Sequence, residues 1–160
     1  MKHFRHYSSP LGTLLLAGEN EILEELHFTT SNSKCPANEN WRQDETVYAR
    51  VVRQLDEYFA GKRTSFELEL HPRGTMFQQR VWRELRNIPF GTTASYGEIA
   101  GRIGQPKACR AVGMANGRNP IPIIIPCHRV IGKDGSLTGF SSGLPLKRQL
   151  LAHEGITILR

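Results

Sequence analysis

The stretch Ser95-Tyr96-Gly97-Glu98-Ile99-Ala100-Gly101-Arg102-Ile103-Gly104-Gln105-Pro106-Lys107-Ala108-Cys109-Arg110-Ala111-Val112-Gly113-Met114-Ala115-Asn116 decides the reading of the fold. It opens on Ser-x-x-Glu, a capping box in which the hydroxyl accepts from an orphan amide while the carboxylate reaches back. The short helix so begun ends near Gly101 to Gly104. Pro106 suits the first turn of a second helix, where its missing N–H would be unpaired anyway, so that helix is expected from about Pro106 to Asn116. Two short helices joined by a Gly-containing turn have the form of a helix-turn-helix. Ala108, Ala111, Gly113 and Ala115 are too small to hold the second helix off a neighbouring surface, and Lys107 and Arg110 can neutralise phosphates. A tightly packed helix pair with incidental charge fits the same residues, so both readings stay open at this point.

Upstream, Thr75-Met76-Phe77-Gln78 is another capping box, and Phe77, Val81, Trp82 and Leu85 fall on one helical face before Pro89-Phe90-Gly91. His71-Pro72-Arg73-Gly74 marks a boundary that divides the chain into residues 1–72 and 73–160. In the first part, Leu14 to Ala17 and Ile22 to Phe28 read as strands around the turn Gly18-Glu19-Asn20-Glu21. A polar loop over 31–43 leads to a helix expected from Asp44 to Ala60, on the spacing of Val47, Val51, Val52, Leu55, Tyr58 and Phe59. Phe66, Leu68 and Leu70 alternate with polar residues as in a half-buried strand. The fold class expected is α/β (α+β). A small strand-rich scaffold is followed by a mainly helical domain that carries the helix-turn-helix-like pair.

The 160 residues carry a net charge of +6, unevenly shared. Residues 1–70 have 8 Lys+Arg against 11 Asp+Glu, while residues 71–160 have 13 against 4. Such asymmetry suggests that the second half meets a polyanion, nucleic acid first among them. No window is apolar enough to span a membrane, and the N-terminus lacks the apolar run of a signal peptide. Three cysteines make no disulfide framework and suit a reducing compartment, the cytoplasm or a eukaryotic nucleus. Cys35, Cys109 and Cys127 lie far apart without regular His spacing, so no metal site is expected. Cys35 reads as incidental and Cys109 as a small packing residue.

Residues 119–132, Asn-Pro-Ile-Pro-Ile-Ile-Ile-Pro-Cys-His-Arg-Val-Ile-Gly, deliver Cys127 and His128 on a stiff segment. A free thiol is mostly protonated at neutral pH, and an imidazole can take its proton directly or through water. A carboxylate on the far ring nitrogen would orient that imidazole. Glu154 sits at the end of a helix expected over Leu144 to His153, where the dipole disfavours an anion. Its placement suggests a specific partner, His128 among the candidates. A Cys-His pair alone is as compatible with inert packing or with a cysteine hydrolase.

Pro126-Cys127-His128-Arg129-Val130, with Asn119-Pro120 before it and Leu151-Ala152-His153-Glu154-Gly155 after it, closely resembles the methylated-DNA–protein-cysteine methyltransferases, or O6-alkylguanine-DNA alkyltransferases. The resemblance runs on through Ser95-Tyr96, Arg110-Ala111-Val112-Gly113 and Ser141, over about 75–156. It implies that Cys127 takes the alkyl group from O6-alkylguanine, or O4-alkylthymine, in double-stranded DNA. His128 would deprotonate it through water, Glu154 would orient His128, and Asn119 would brace the turn. Tyr96 would hydrogen-bond the departing guanine. Ser141, Val130 and Phe140 would line the pocket, Phe140 standing where some members have Tyr. Arg110 would fill the space of the flipped nucleotide, with Ala111, Gly113 and Lys107 also on DNA. The resemblance implies a winged helix-turn-helix-like DNA-binding motif in the second domain and no cofactor; a monomer is expected, with cooperative assembly along DNA an open option. A damage-binding protein with an unreactive cysteine is the alternative from the binding class.

Overall fold

The computed structural model describes residues 1–29, 40–140 and 142–158. The chain separates into two compact units, Met1–Arg73 and Gly74–Arg160.

The first unit is built on a four-stranded sheet of β1 (His3–Ser9), β2 (Gly12–Glu19), β3 (Ile22–Phe28) and β4 (Arg42–Gln43), in the order β3-β2-β1-β4. β1–β2 and β2–β3 are antiparallel and β1–β4 parallel. Asn20 and Glu21, at φ 53° and 61°, give the β2–β3 turn its two left-handed residues, as a tight hairpin with right-twisted strands requires. Leu14, Leu15, Leu16 and Ala17 on β2 are all buried, so this central strand is covered on both faces and reads as an unbroken apolar run. Helix α1 (Ala49–Phe59) adds Val51, Leu55 and Tyr58 to the core.

Three local departures from the sequence expectation have physical causes. Helix α1 starts at Ala49 instead of Asp44, because Tyr48 is left-handed (φ 59°) while its hydroxyl donates to the His3 carbonyl at 2.9 Å. That anchoring breaks the helix upstream. Residues 66–70 form no ladder beyond a single bridge between Leu23 and Leu70. The Gln54 amide serves the Glu67 backbone instead, donating to its carbonyl at 3.1 Å and accepting from its N–H at 2.9 Å. β1 escapes the hydrophobic reading because His3, Arg5, His6, Ser8 and Ser9 give it few apolar residues.

In the second unit, α2 (Met76–Leu85), α3 (Tyr96–Arg102) and α4 (Cys109–Gly117) pack on one another, and α5 (Leu144–His153) packs on the turn at Cys127–Arg129. Both capping boxes form. Thr75 Oγ accepts from Gln78 N–H at 3.1 Å, Ser95 Oγ from Glu98 N–H at 3.1 Å, and the side chains of Gln78 and Glu98 return the contact. Helix α4 begins at Cys109, later than Pro106, because Ala108 N–H bonds to Gln105 O at 2.9 Å and closes a separate turn. Lys107 and Ala108 therefore precede the helix that the sequence placed them on. The buried Trp82 indole donates to Ala115 O at 2.8 Å and fixes α4 to α2. A Cβ at Gly74 would lie 2.4 Å from the Trp82 ring, so only glycine fits. A two-residue parallel pair, β5 (Ala94–Ser95) with β6 (Val130–Ile131), sets the start of α3 beside the chain leaving Cys127. Among the described residues no helix is long and apolar enough to cross a membrane.

Candidate active site

The segment before Cys127 is a buried turn held by Asn119. The Asn119 amide donates to Ile125 O at 2.7 Å and its oxygen accepts from Ile121 N–H at 3.0 Å. Within this loop Ile123 is 1 % exposed and has φ 76°, a left-handed conformation that a β-branched residue adopts only where its surroundings impose it. The flanking prolines and Asn119 supply that constraint. Cys127 N–H then bonds to Ile125 O at 2.8 Å and the chain enters a single 3-10 turn, Cys127–Arg129. Asn116 reaches the Cys127 carbonyl from α4 at 3.4 Å.

Cys127 is 4 % exposed. Burial pushes its thiol up to about 11, opposed by hydrogen bonding from Asn119, by the positive charge of Lys147 and by the Cys127 and His128 amides. His128 is fully buried, with Nε2 2.7 Å from Glu154 Oε2. An ionised carboxylate only accepts, so Nε2 carries the proton and Nδ1 bears the lone pair. Nδ1 has no hydrogen-bond partner among the described residues. Burial holds His128 below the ordinary histidine range, against the pull of Glu154. The resting ring is neutral, with one nitrogen held and the other open.

Glu154 caps the C-terminus of α5, and its unfavourable position there is offset by donors. Arg129 grips it twice, Nε to Oε1 at 2.8 Å and Nη2 to Oε2 at 3.0 Å, while Nη1 donates to Ile88 O at 2.7 Å. Lys147, also fully buried, donates from Nζ to Val130 O at 2.6 Å and Thr138 O at 2.7 Å. Burial brings its ammonium down to about 8. Tyr96, the first residue of α3, donates its hydroxyl to Thr138 O at 3.2 Å and accepts from Thr138 Oγ at 3.1 Å. The Tyr96 ring lies against Gly113, where a Cβ would make ordinary contact at 3.7 Å.

Asn119, Cys127, His128 and Glu154 therefore meet in one buried cluster, with Val130 on β6 and Tyr96 across Thr138. Phe140 is half-buried in the loop after Thr138. Ser141 and Cys35 lie outside the described residues. On α4, Cys109, Arg110, Ala111 and Met114 are exposed, whereas Val112, Ala115 and Asn116 face inward. Arg110 and Ala111 thus share an outward face, with Gly113 half-buried beside Tyr96 and Lys107 exposed ahead of the helix. A cavity of about 380 Å3 beside Tyr96 is lined by Ser95, Gly97, Glu98, Cys109 and Lys133 and does not include Cys127.

Residues 2–72 match the ribonuclease-like domain of 6-O-methylguanine DNA methyltransferase, and residues 76–156 match its DNA-binding domain. This chain belongs to the 6-O-methylguanine DNA methyltransferase family. A relative from Methanosarcina acetivorans, the methylated-DNA–protein-cysteine methyltransferase, is 50% identical over 153 residues, covering 96% of this chain and 98% of its own. The Mycobacterium tuberculosis protein of the same name is 51% identical over 154 residues, covering 96% and 93%. The crystal structure of Mycobacterium tuberculosis OGT in complex with DNA superimposes with a TM-score of 0.88 at 51% identity, covering 95% of this chain and 92% of that one.

Two members of the cluster escaped the sequence reading of this family member, Arg129 and Lys147. A charged residue in a sequence is read as solvated by default. The signal was present in α5, where positions 147, 150, 151 and 154 make one helical stripe of Lys, Leu, Leu and Glu. Two charges on an otherwise apolar face call for buried partners.

Proposed function

We propose that this protein repairs alkylated DNA by transferring an alkyl group, methyl in the simplest case, from guanine O6 in a duplex to Cys127. The observation that carries this reading is the arrangement around His128: one ring nitrogen fixed by Glu154, the other open, next in the chain to a buried thiol. His128 Nδ1 takes the Cys127 proton through a bridging water. Sγ attacks the alkyl carbon, the carbon–O6 bond breaks, and the guanine leaves with that electron pair. Tyr96 donates a hydrogen bond or proton to it. The product is a thioether with no route back, so each molecule acts once, and the sulfur electron pair makes a cofactor unnecessary.

Residues 73–160 perform binding and transfer, and residues 1–72 act as scaffold. A stacked base hides its O6 substituent, so the nucleotide must leave the helix at a cost of a few kcal/mol. Arg110 enters the vacated space, the small face at Ala111 and Gly113 lets α4 approach the minor groove, and Lys107 meets phosphate. Val130 and Phe140 line the base pocket, and O4-alkylthymine is a secondary substrate. The protein works as a monomer wherever the DNA lies, cytoplasm or nucleus.

The deciding experiment is the intact mass after incubation with a duplex carrying O6-methylguanine. One methyl mass per molecule, mapped to Cys127 and absent in Cys127→Ala, is expected. Binding without a mass gain would make the protein a damage sensor, and repeated turnover of an ester or amide would make it a hydrolase. Arg110→Ala should slow reaction on duplex far more than on free O6-benzylguanine; equal losses would refute its extrusion role.

A further inference from the structure

Lys147 is fully buried on α5, and among the described residues no carboxylate pairs with it. Burying an ammonium is costly unless it is hydrogen-bonded and matched by negative charge. Two of its three N–H donors go to carbonyls, Val130 O on β6 and Thr138 O in the loop before Phe140. These neutral partners satisfy geometry and leave the charge unmatched. The other buried cation of the cluster, Arg129, has Glu154 on two of its nitrogens. Tyr96 from α3, the neutral Asn119 amide, the His128 backbone amide in the same turn and Lys147 from α5 bear on Cys127. Among the described residues, the charge that favours the protonated form of Lys147 is that of Cys127.

We propose that Lys147 is a positioning residue of the alkyl-acceptor site, its ammonium being the countercharge of the Cys127 thiolate while its two carbonyl bonds tie β6 to the pocket loop. The inference rests on Cys127 as acceptor and adds a second support to the thiolate beside His128, whose own protonation the Lys147 charge opposes. His128 takes the proton; Lys147 stabilises the anion left behind. When the sulfur becomes a neutral thioether, the ammonium loses the negative charge it had been matched to.

The test uses the full chain and needs no DNA. Cys127 is labelled with iodoacetamide across a range of pH and followed by peptide-resolved mass spectrometry, with the exposed Cys109 as internal control. Lys147→Gln keeps an amide donor for a carbonyl and removes the charge; Lys147→Met removes both. For both variants, Cys127 labelling at pH 7 is expected to fall about tenfold, the change in thiolate fraction for a thiol midpoint about one pH unit higher. Cys109 labelling should not move. A folded Lys147→Gln variant whose Cys127 profile superimposes on the wild type overturns the proposal. If neither variant folds, wild-type Cys127 labelling is followed through the Lys147 midpoint near pH 8. Its rise of about tenfold per pH unit should flatten there as the ammonium is lost, and an unbroken rise overturns the proposal. A labelling shift in a protein that gains no methyl from O6-methylguanine duplex would uphold the ion pair and refute the repair reading.

Discussion

Glu24 in the first unit and Glu154 in the second are 2 % and 5 % exposed, and each meets an arginine, at 2.6 and 2.8 Å. The partners differ. The Arg73 side chain is 73% exposed and can turn to water if its carboxylate is lost, whereas Arg129 is 7% exposed and has nowhere else to go. Around Glu24 the remaining charges, Lys2 and Glu25, form a network that is only partly buried, at 17% and 22% exposure. Around Glu154 the same kind of pairing consumes one nitrogen of His128 and leaves the other open. A buried charge that is fully answered only holds a fold together; one whose partners retain a spare lone pair can also do chemistry.

The comparison breaks first at the two glutamates. Glu154→Gln strands a buried guanidinium, so it should cost about 3–5 kcal/mol in urea unfolding and slow alkyl transfer steeply. Glu24→Gln should cost about 1 kcal/mol, because the lost partner is solvated. Similar losses in the two variants would erase the distinction. Asn119→Ala comes next. It removes two hydrogen bonds that hold the left-handed Ile123 and should cost about 2–3 kcal/mol, with slower Cys127 labelling at a raised pH midpoint, because the Asn119 hydrogen bond to the sulfur is lost too.

Acid sharpens the contrast further. The Glu25 carboxyl is held down to about 2 by its hydrogen bond from His27, with Lys2 adding to it. A depressed carboxylate stabilises the fold above its unfolded value and loses that contribution as pH falls from about 4.5 towards 2, about 2 kcal/mol here. His128 behaves differently. Its folded imidazole resists protonation, so the unfolded chain binds the proton first and stability falls once pH drops below about 6.5. Unfolding free energy measured against pH should therefore show two descents. Glu25→Gln should remove the lower one and His128→Gln the upper one. The smallest effect concerns caps. Thr75→Ala should cost about 1 kcal/mol by losing the box on α2, whereas α1 has no side-chain cap to lose.

Much of this was legible in the residues. Both capping boxes, the α5 span and the β2–β3 turn follow from local chemistry that acts over three or four positions. The proximity of Glu154 to His128 was inferable only because a carboxylate at a helix C-terminus needs a reason. What stayed hidden depends on partners far along the chain. Tyr48 bonding to His3, Gln54 clasping Glu67 and the β5–β6 pair are all made between segments whose own patterns say nothing of each other. Arg129 and Lys147 stayed hidden because a cation looks solvent-exposed until the fold encloses it. Helix α4 was misplaced at its start because Pro106 is as good at opening a turn as at opening a helix.

The chain has two tryptophans, and the fold has put one in each unit. Trp41 lies under the Lys2 ammonium at 4.8 Å, while Trp82 is sealed in apolar surroundings and bonded to the end of α4. The molecule therefore carries two intrinsic fluorophores of distinct colour. Removing either by Phe substitution leaves an optical reporter for the other half, and Trp82 emission alone should follow what happens to α4 when a ligand seats on its outer face.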